Sequence, residues 1–152
     1  MTVWEELLNN QVFVSAVVSW VTAQVLKTIV DYALNQNFSA ERLVGAGGMP
    51  SSHSATVCAL VTSCLLKHGP GSSEFAIAFG LAAIVMYDAI GVRRETGKHS
   101  LWLNTMISEF PAKFNAEIFQ QKLKEYVGHT PLQVLAGAIL GILITLLLDL
   151  AY

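Results

Sequence analysis

An all-α membrane bundle is the fold this sequence predicts, with about four membrane helices and one or two amphipathic helices along the interface. Three observations carry it. Of 152 residues, 53% are hydrophobic and only 13% are charged, about half the charged share of about 25% usual in soluble domains. The mean hydropathy is +0.52. Finally, the apolar residues gather into four long segments, and most Lys and Arg fall in the loops on one side of them. The chain reads as a single integral membrane domain over residues 1–152.

The first apolar segment runs from about Gln11 to Leu34 and the second from about Ser52 to Lys67. The third covers about Phe75 to Val92, and the fourth about Pro131 to Tyr152. A membrane span takes about 20 residues, with a range of about 17 to 25, so the second segment is marginal. Gly69-Pro70-Gly71-Ser72-Ser73 is a tight turn between the second and third segments. Thr130-Pro131-Leu132-Gln133 has the pattern of a capping box with proline in the first helical position.

Between Gly97 and Gly128 the apolar residues are spaced for amphipathic helices. Leu101, Leu103, Met106, Ile107 and Phe110 form one, which stops at Pro111; Phe114, Ile118, Leu123 and Tyr126 form a second. Both are expected to lie along the interface, as an anchor or as a lid over a headgroup. Small residues recur at four-residue steps, Ala76 with Gly80 and Gly137 with Gly141. Such steps let helix backbones approach closely. For Gly137 and Gly141 the readings are packing within the chain or contact in a homo-oligomer.

Four crossings place the loops after the first and third segments on one side. That side carries Arg42, Arg93, Arg94, Lys98, Lys113, Lys122 and Lys124, whereas the other has only Lys67. A Lys/Arg excess marks the cytoplasmic face, so both termini are expected outside, in the cell inner membrane. A net charge of −2 argues against a strongly basic nucleic-acid binder. Glu5 and Glu6, with no Lys or Arg before Lys27, make a cleaved signal peptide unexpected. Cys58 and Cys64 have neither metal-knuckle nor redox spacing and read as packing residues.

With that parity the polar residues converge at one end of the bundle. Ser51, Ser52 and His53 open the second helix, and His129 immediately precedes the fourth. Asp88, Arg93 and Arg94 cluster at the end of the third. On the first helix Gln24, Lys27, Thr28 and Asp31 share one face. Ionisable groups in such places point to function. Helix N-termini attract phosphate oxygens through unpaired N–H groups. Arginine grips phosphate with two bonds, and lysine adds a point charge. A neutral imidazole can attack phosphorus while a protonated one serves the leaving alkoxide. Each residue also has a bland reading: Lys27 paired with Asp31, Arg93 and Arg94 as interface anchors, Gln133 as a cap. His68 and His99 show no partner pattern and carry no assigned role. The set asks for no cofactor, and no ligand spacing calls for a metal.

Gly47-Gly48-Met49-Pro50-Ser51-Ser52-His53-Ser54-Ala55, the run Tyr87 to Arg94, and Gly128-His129-Thr130-Pro131 resemble the divergent branch of the type 2 phosphatidic acid phosphatase superfamily. That branch is also labelled acid phosphatase/vanadium-dependent haloperoxidase-related. The resemblance covers essentially the whole chain. It implies a helical, metal-independent phosphatase working through a phosphohistidine on a lipid phosphomonoester or a prenyl or lipid pyrophosphate. His129 matches the nucleophile and His53 the acid to the leaving group, with Ser52 where the wider motif has glycine. Lys27, Ser51, Ser52, Arg93 and Arg94 are the expected phosphoryl ligands. Gln133 stands where that motif has an orienting aspartate, and Leu123 where it has an arginine; Asp88 is the carboxylate available in exchange. The alternative is a non-catalytic membrane protein that binds or moves an anionic lipid headgroup with the same pocket.

Overall fold

The computed structural model describes residues 2–36, 48–110, 123 and 128–151. Six helices account for nearly all of them: α1 Val3–Asn9, α2 Gln11–Asn35, α3 Ser52–His68, α4 Ser73–Ile90, α5 Val92–Glu109 and α6 Pro131–Asp149. Five of the six starts have a side-chain cap; α5, which follows Gly91, has none. Thr2 and Glu5 form a capping box for α1, and the Asn10, Ser51 and Ser72 side chains cap α2, α3 and α4. Thr130 and Gln133 form the expected capping box on α6, with Pro131 in its first turn. Gly69 ends α3 at φ 80°, backbone that a side chain would strain.

Three helical stretches are long and apolar enough to cross a membrane: Gln11–Ala33, Ser73–Glu109 and Pro131–Asp149. The expected first, third and fourth segments thus correspond to α2, α4 and α6. The expected second is α3, whose 17 residues sit at the lower limit for a span. It is nevertheless the centre of the bundle, packed against α2, α4 and α6.

Small side chains hold that centre together. A Cβ on Gly137 would strike the Ser51 carbonyl, and one on Gly141 would strike the Ala55 carbonyl. One step further along, Thr145 Oγ lies 3.4 Å from the Ala59 carbonyl oxygen. The pairs 137/51, 141/55 and 145/59 advance together, so α3 and α6 run parallel at backbone contact. Gln11 Nε2 donates to Asp149 Oδ1 at 2.8 Å, which pins the start of α2 to the end of α6 and sets α2 antiparallel to both. Ser15, Ser19 and Ala23 then face the seam and are fully buried. Hydrocarbon lipid offers no hydrophobic incentive for helices to associate, so close packing of small residues supplies it.

The structure corrects the sequence reading at three points and bears out the packing reading of Gly137 and Gly141. The short helix α1 went unread, although Thr2-Val3-Trp4-Glu5 is a capping-box signature. Helix α5 begins at Val92, not beyond Gly97, because Gly91 alone interrupts the helix (φ −90°, ψ −95°). Gly97 is therefore a buried interior residue of α5. Gly80 has nothing within 4 Å of where a Cβ would stand, so the Ala76–Gly80 step is unused within the chain. The Gly137–Gly141 step is filled by α3, which leaves it closed to a second copy. The second amphipathic stretch, 114–126, lies outside the described residues except for Leu123.

Because the Gly141 contact is with backbone, no rotamer change can relieve it. Gly141→Ala is expected to destabilise the bundle by about 1–3 kcal/mol, the usual range for overpacking. Gly80→Ala, facing open space, is expected to be neutral or slightly stabilising through helix propensity. Thermal unfolding of the detergent-solubilised variants separates the two.

Candidate functional site

Parallel packing of α3 and α6 has a consequence at their N-terminal ends. Ser51 sits level with Gly137, six residues or about 9 Å along α6 from Pro131. The chain entering α3 therefore descends into the bundle before its helix starts, and Pro50, Ser51, Ser52 and Ser54 are buried. The Ser51 N–H donates to the Gln133 carbonyl at 3.0 Å. Its hydroxyl accepts from Ser54 N–H at 3.3 Å and from Ser54 Oγ at 3.0 Å. Ser51 thus builds the helix terminus, while the next two N–H groups, of Ser52 and His53, have no acceptor inside the helix.

His129 reaches the same place from the other side. Its N–H donates to the Ala89 carbonyl near the end of α4 at 3.0 Å. Gly128, at φ 88°, lies directly against the Arg93–Arg94 backbone, leaving no room for a Cβ. Upstream, Asn104 on α5 clamps Leu123: Nδ2 donates to its carbonyl at 2.9 Å, and Oδ1 accepts from its N–H at 3.1 Å. The imidazole ends with its centroid 5.9 Å from that of His53, the planes inclined by 63°.

Lys27 comes in from α2 and is only 2% exposed. Its stem packs on Gly48: a Cβ there would meet Lys27 Cγ at 2.8 Å and Cδ at 2.9 Å. Gly48 also has φ 84°, so both sterics and backbone require glycine. The Lys27 charge acts on both histidines. Gln24 is buried beside it on α2, whereas Thr28 donates its hydroxyl to the Gln24 carbonyl at 2.9 Å. Of the residues singled out in the sequence, Lys27, Ser51, Ser52, His53 and His129 are thus gathered in one buried cluster.

The remaining four stand at its edge. Arg93 and Arg94 lie in the first turn of α5. Arg93 Nε pairs with Asp88 Oδ2 in a half-exposed ion pair, and both charges act on His53. Arg94 contributes backbone to the Gly128 contact. Gln133 Oε1 accepts from Thr130 N–H at 3.0 Å as the second half of the cap. His129 Nδ1 is buried with no hydrogen-bond partner among the described residues.

Sequence reasoning missed what holds His129. The Asn104 clamp and the Gly128 contact depend on distant segments meeting, and neither leaves a local pattern. The positive-φ glycines were visible as letters, but their partners were not.

Burial pushes the His129 imidazole below its ordinary value of 6.5, reinforced by the charges of His53 and Lys27; Gln133 opposes the shift. The unfolded chain takes up this proton near pH 6.5 and the folded protein only at lower pH. Between those points the unfolded state binds more protons, so stability falls as pH drops and levels off below the folded pKa. His129→Gln removes the titration. Its melting temperature is expected to decline less than that of the parent protein between about pH 7 and about pH 5.

The family model described as the divergent PAP2 family matches residues 8–144. An uncharacterized membrane protein of Bacillus subtilis (strain 168), YuiD, is 40% identical over 152 residues, covering 94% of this chain and 96% of its own length. No solved structure matches. The chain is a membrane protein that belongs to the divergent PAP2 family.

Proposed function

We propose that the protein is a membrane-embedded, metal-independent phosphatase acting on a lipid phosphomonoester or a prenyl or lipid pyrophosphate. The observation that carries the reading is the meeting of His53 and His129, 5.9 Å apart, beside a buried lysine and the start of a helix. Two imidazoles so placed can reach opposite ends of a single phosphoryl group.

His129 is the nucleophile. Burial favours its neutral form, whose ring nitrogen carries the lone pair that attacks phosphorus. His53 gives its proton to the departing alkoxide or phosphate, then takes one from the water that hydrolyses the phosphohistidine. The protein leaves this cycle unchanged; the products are inorganic phosphate together with the alcohol from a monoester, or with the shortened phosphate ester from a pyrophosphate. Lys27, Arg93 and the first N–H groups of α3 stabilise charge on the phosphoryl oxygens, which is most of what phosphoryl transfer needs. Ser52 adds a hydroxyl, Ser51 sets the helix terminus, and Arg94 supports the strand carrying His129. By the charge distribution of the loops, the site opens to the cytoplasmic side of the cell inner membrane.

A second reading is favoured by one observation. The group that acts on the His129 ring, Gln133, is an uncharged amide shared with the cap, and Asp88 is paired with Arg93. A pocket with those contacts can bind an anionic headgroup without turning it over.

Purified protein is expected to release phosphate from a panel of phosphatidate, phosphatidylglycerol phosphate and prenyl pyrophosphate. His129→Ala is expected to lower turnover by at least about a thousandfold and His53→Ala by about a hundredfold or more, the scale of general acid–base catalysis. Unchanged turnover in the His129 variant removes it as nucleophile. Headgroup binding with no phosphate release in the parent protein selects the second reading.

A further inference from the structure

We propose that a groove between α3 and α4, floored by α6, holds a single hydrocarbon tail of the lipid whose phosphate lies at the His53–His129 pair. The proposal rests on the headgroup reading above and adds the shape of the rest of the ligand.

The groove has a volume of about 140 Å³. Cys58 and Thr62 of α3 form one wall, Phe79, Ala83 and Met86 of α4 the other, and Ile142 of α6 the floor. It exists because α4 presents methyl-sized Ala82 and Ala83 between the bulkier Phe79 and Met86. At its upper end Cys58 Sγ lies 3.8 Å from Met86 Sδ. An apolar cavity of about 150 Å³ takes a molecule the size of benzene, so this groove accepts about six carbons in single file and excludes two chains side by side.

Position identifies the occupant. Ala82, Met86 and Ala89 recur at i, i+4 and i+7, on one face of α4. The Ala89 carbonyl is the group that holds the His129 N–H. The groove therefore begins three residues, about 4.5 Å, from that anchor and ends at Phe79, about 15 Å away. Half of a hydrocarbon core of about 30 Å is about 15 Å. The groove thus runs about 10.5 Å, within the depth that one tail of a lipid in the same leaflet would cover and on the α4 face that carries the Ala89 anchor.

Bilayer lipid is as apolar as the groove, so the tail gains little hydrophobic energy by entering. What the groove supplies is alignment: a tail seated there fixes where its headgroup stands. Selection is then by tail shape and by attachment to phosphate, and a free alcohol or a short-tailed ester lacks one of the two.

Ala83 is exposed on α4, so Ala83→Trp narrows the groove without entering the core. In detergent solution the variant is expected to lower kcat/KM for dodecyl phosphate by at least about tenfold, because a misaligned tail misplaces the headgroup and a misplacement of about 1 Å can cost about a hundredfold. Butyl phosphate, too short to reach the groove, should change by less than about twofold. Equal effects on both esters, or none on either, overturn the proposal. Dodecyl phosphate carrying a mid-tail photoreactive diazirine tests it without turnover on the unmodified protein. Labelling is expected on α3 and α4 residues of the groove, competed by dodecyl phosphate but not by dodecanol. Labelling spread over the lipid-facing surface, or competed equally by dodecanol, overturns the groove. Specific labelling without any phosphate release keeps the groove and rejects the phosphatase reading instead.

Discussion

Backbone contact between α3 and α6 is the constraint on which the rest of this protein depends. Gly137 and Gly141 bring the two helices together at the Ser51 and Ala55 carbonyls. That contact does more than pack. It fixes the axial register of the two helices, and so fixes how deep the α3 N-terminus lies relative to the residue preceding α6. A register slip of one turn would move the His53 ring by about 5.4 Å, a distance comparable to the whole separation of the two imidazoles. The glycines therefore shape the site although neither touches an imidazole: Gly137 meets the Ser51 backbone and Gly141 that of Ala55.

The same seam explains where the polar residues can be tolerated. Ser15, Ser19 and Ser63 are fully buried beside it, and their hydroxyls have no side-chain or backbone partner among the described residues. Serine is almost as small as alanine, so in a seam this tight its volume matters more than its hydroxyl. Gln11 and Asp149 close the far end with a direct hydrogen bond. At the near end the polar groups are larger, charged and gathered from four helices, a difference that packing alone does not require.

Much of this was legible in the sequence, and the limits have physical causes. Helix starts were readable where the signal is local, as at Thr130-Pro131-Leu132-Gln133 and at Ser51. The convergence of Lys27, His53 and His129 followed from counting crossings, since parity forces alternate helix ends onto one side. Residues whose role depends on a partner distant along the chain were not readable. Asn104 is one polar letter in an amphipathic helix until Leu123 is set against it. Gly91 and Gly97 looked alike, and only the break at Gly91 distinguishes them. Ser51 was read as a phosphate ligand because its hydroxyl stands at a helix N-terminus; that hydroxyl also accepts two bonds from Ser54, and its N–H is held by the Gln133 carbonyl, contacts that the sequence did not announce.

The position of Gln133 shapes the chemistry most directly. An aspartate there would stabilise an imidazolium and hold the ring by charge; the uncharged Gln133 amide acts on the ring only by hydrogen bonding, while also capping α6. Burial and the nearby Lys27 act in the opposite sense, disfavouring a proton on His129. The local environment thus keeps this histidine neutral in the resting protein, which is the state a nucleophile needs and an electrostatic phosphate ligand does not. A site that merely held an anionic headgroup would gain from a charged imidazole, because each added positive charge strengthens the attraction. A buried histidine beside Lys27 is thus a weaker electrostatic ligand for an anion than a charged imidazole would be.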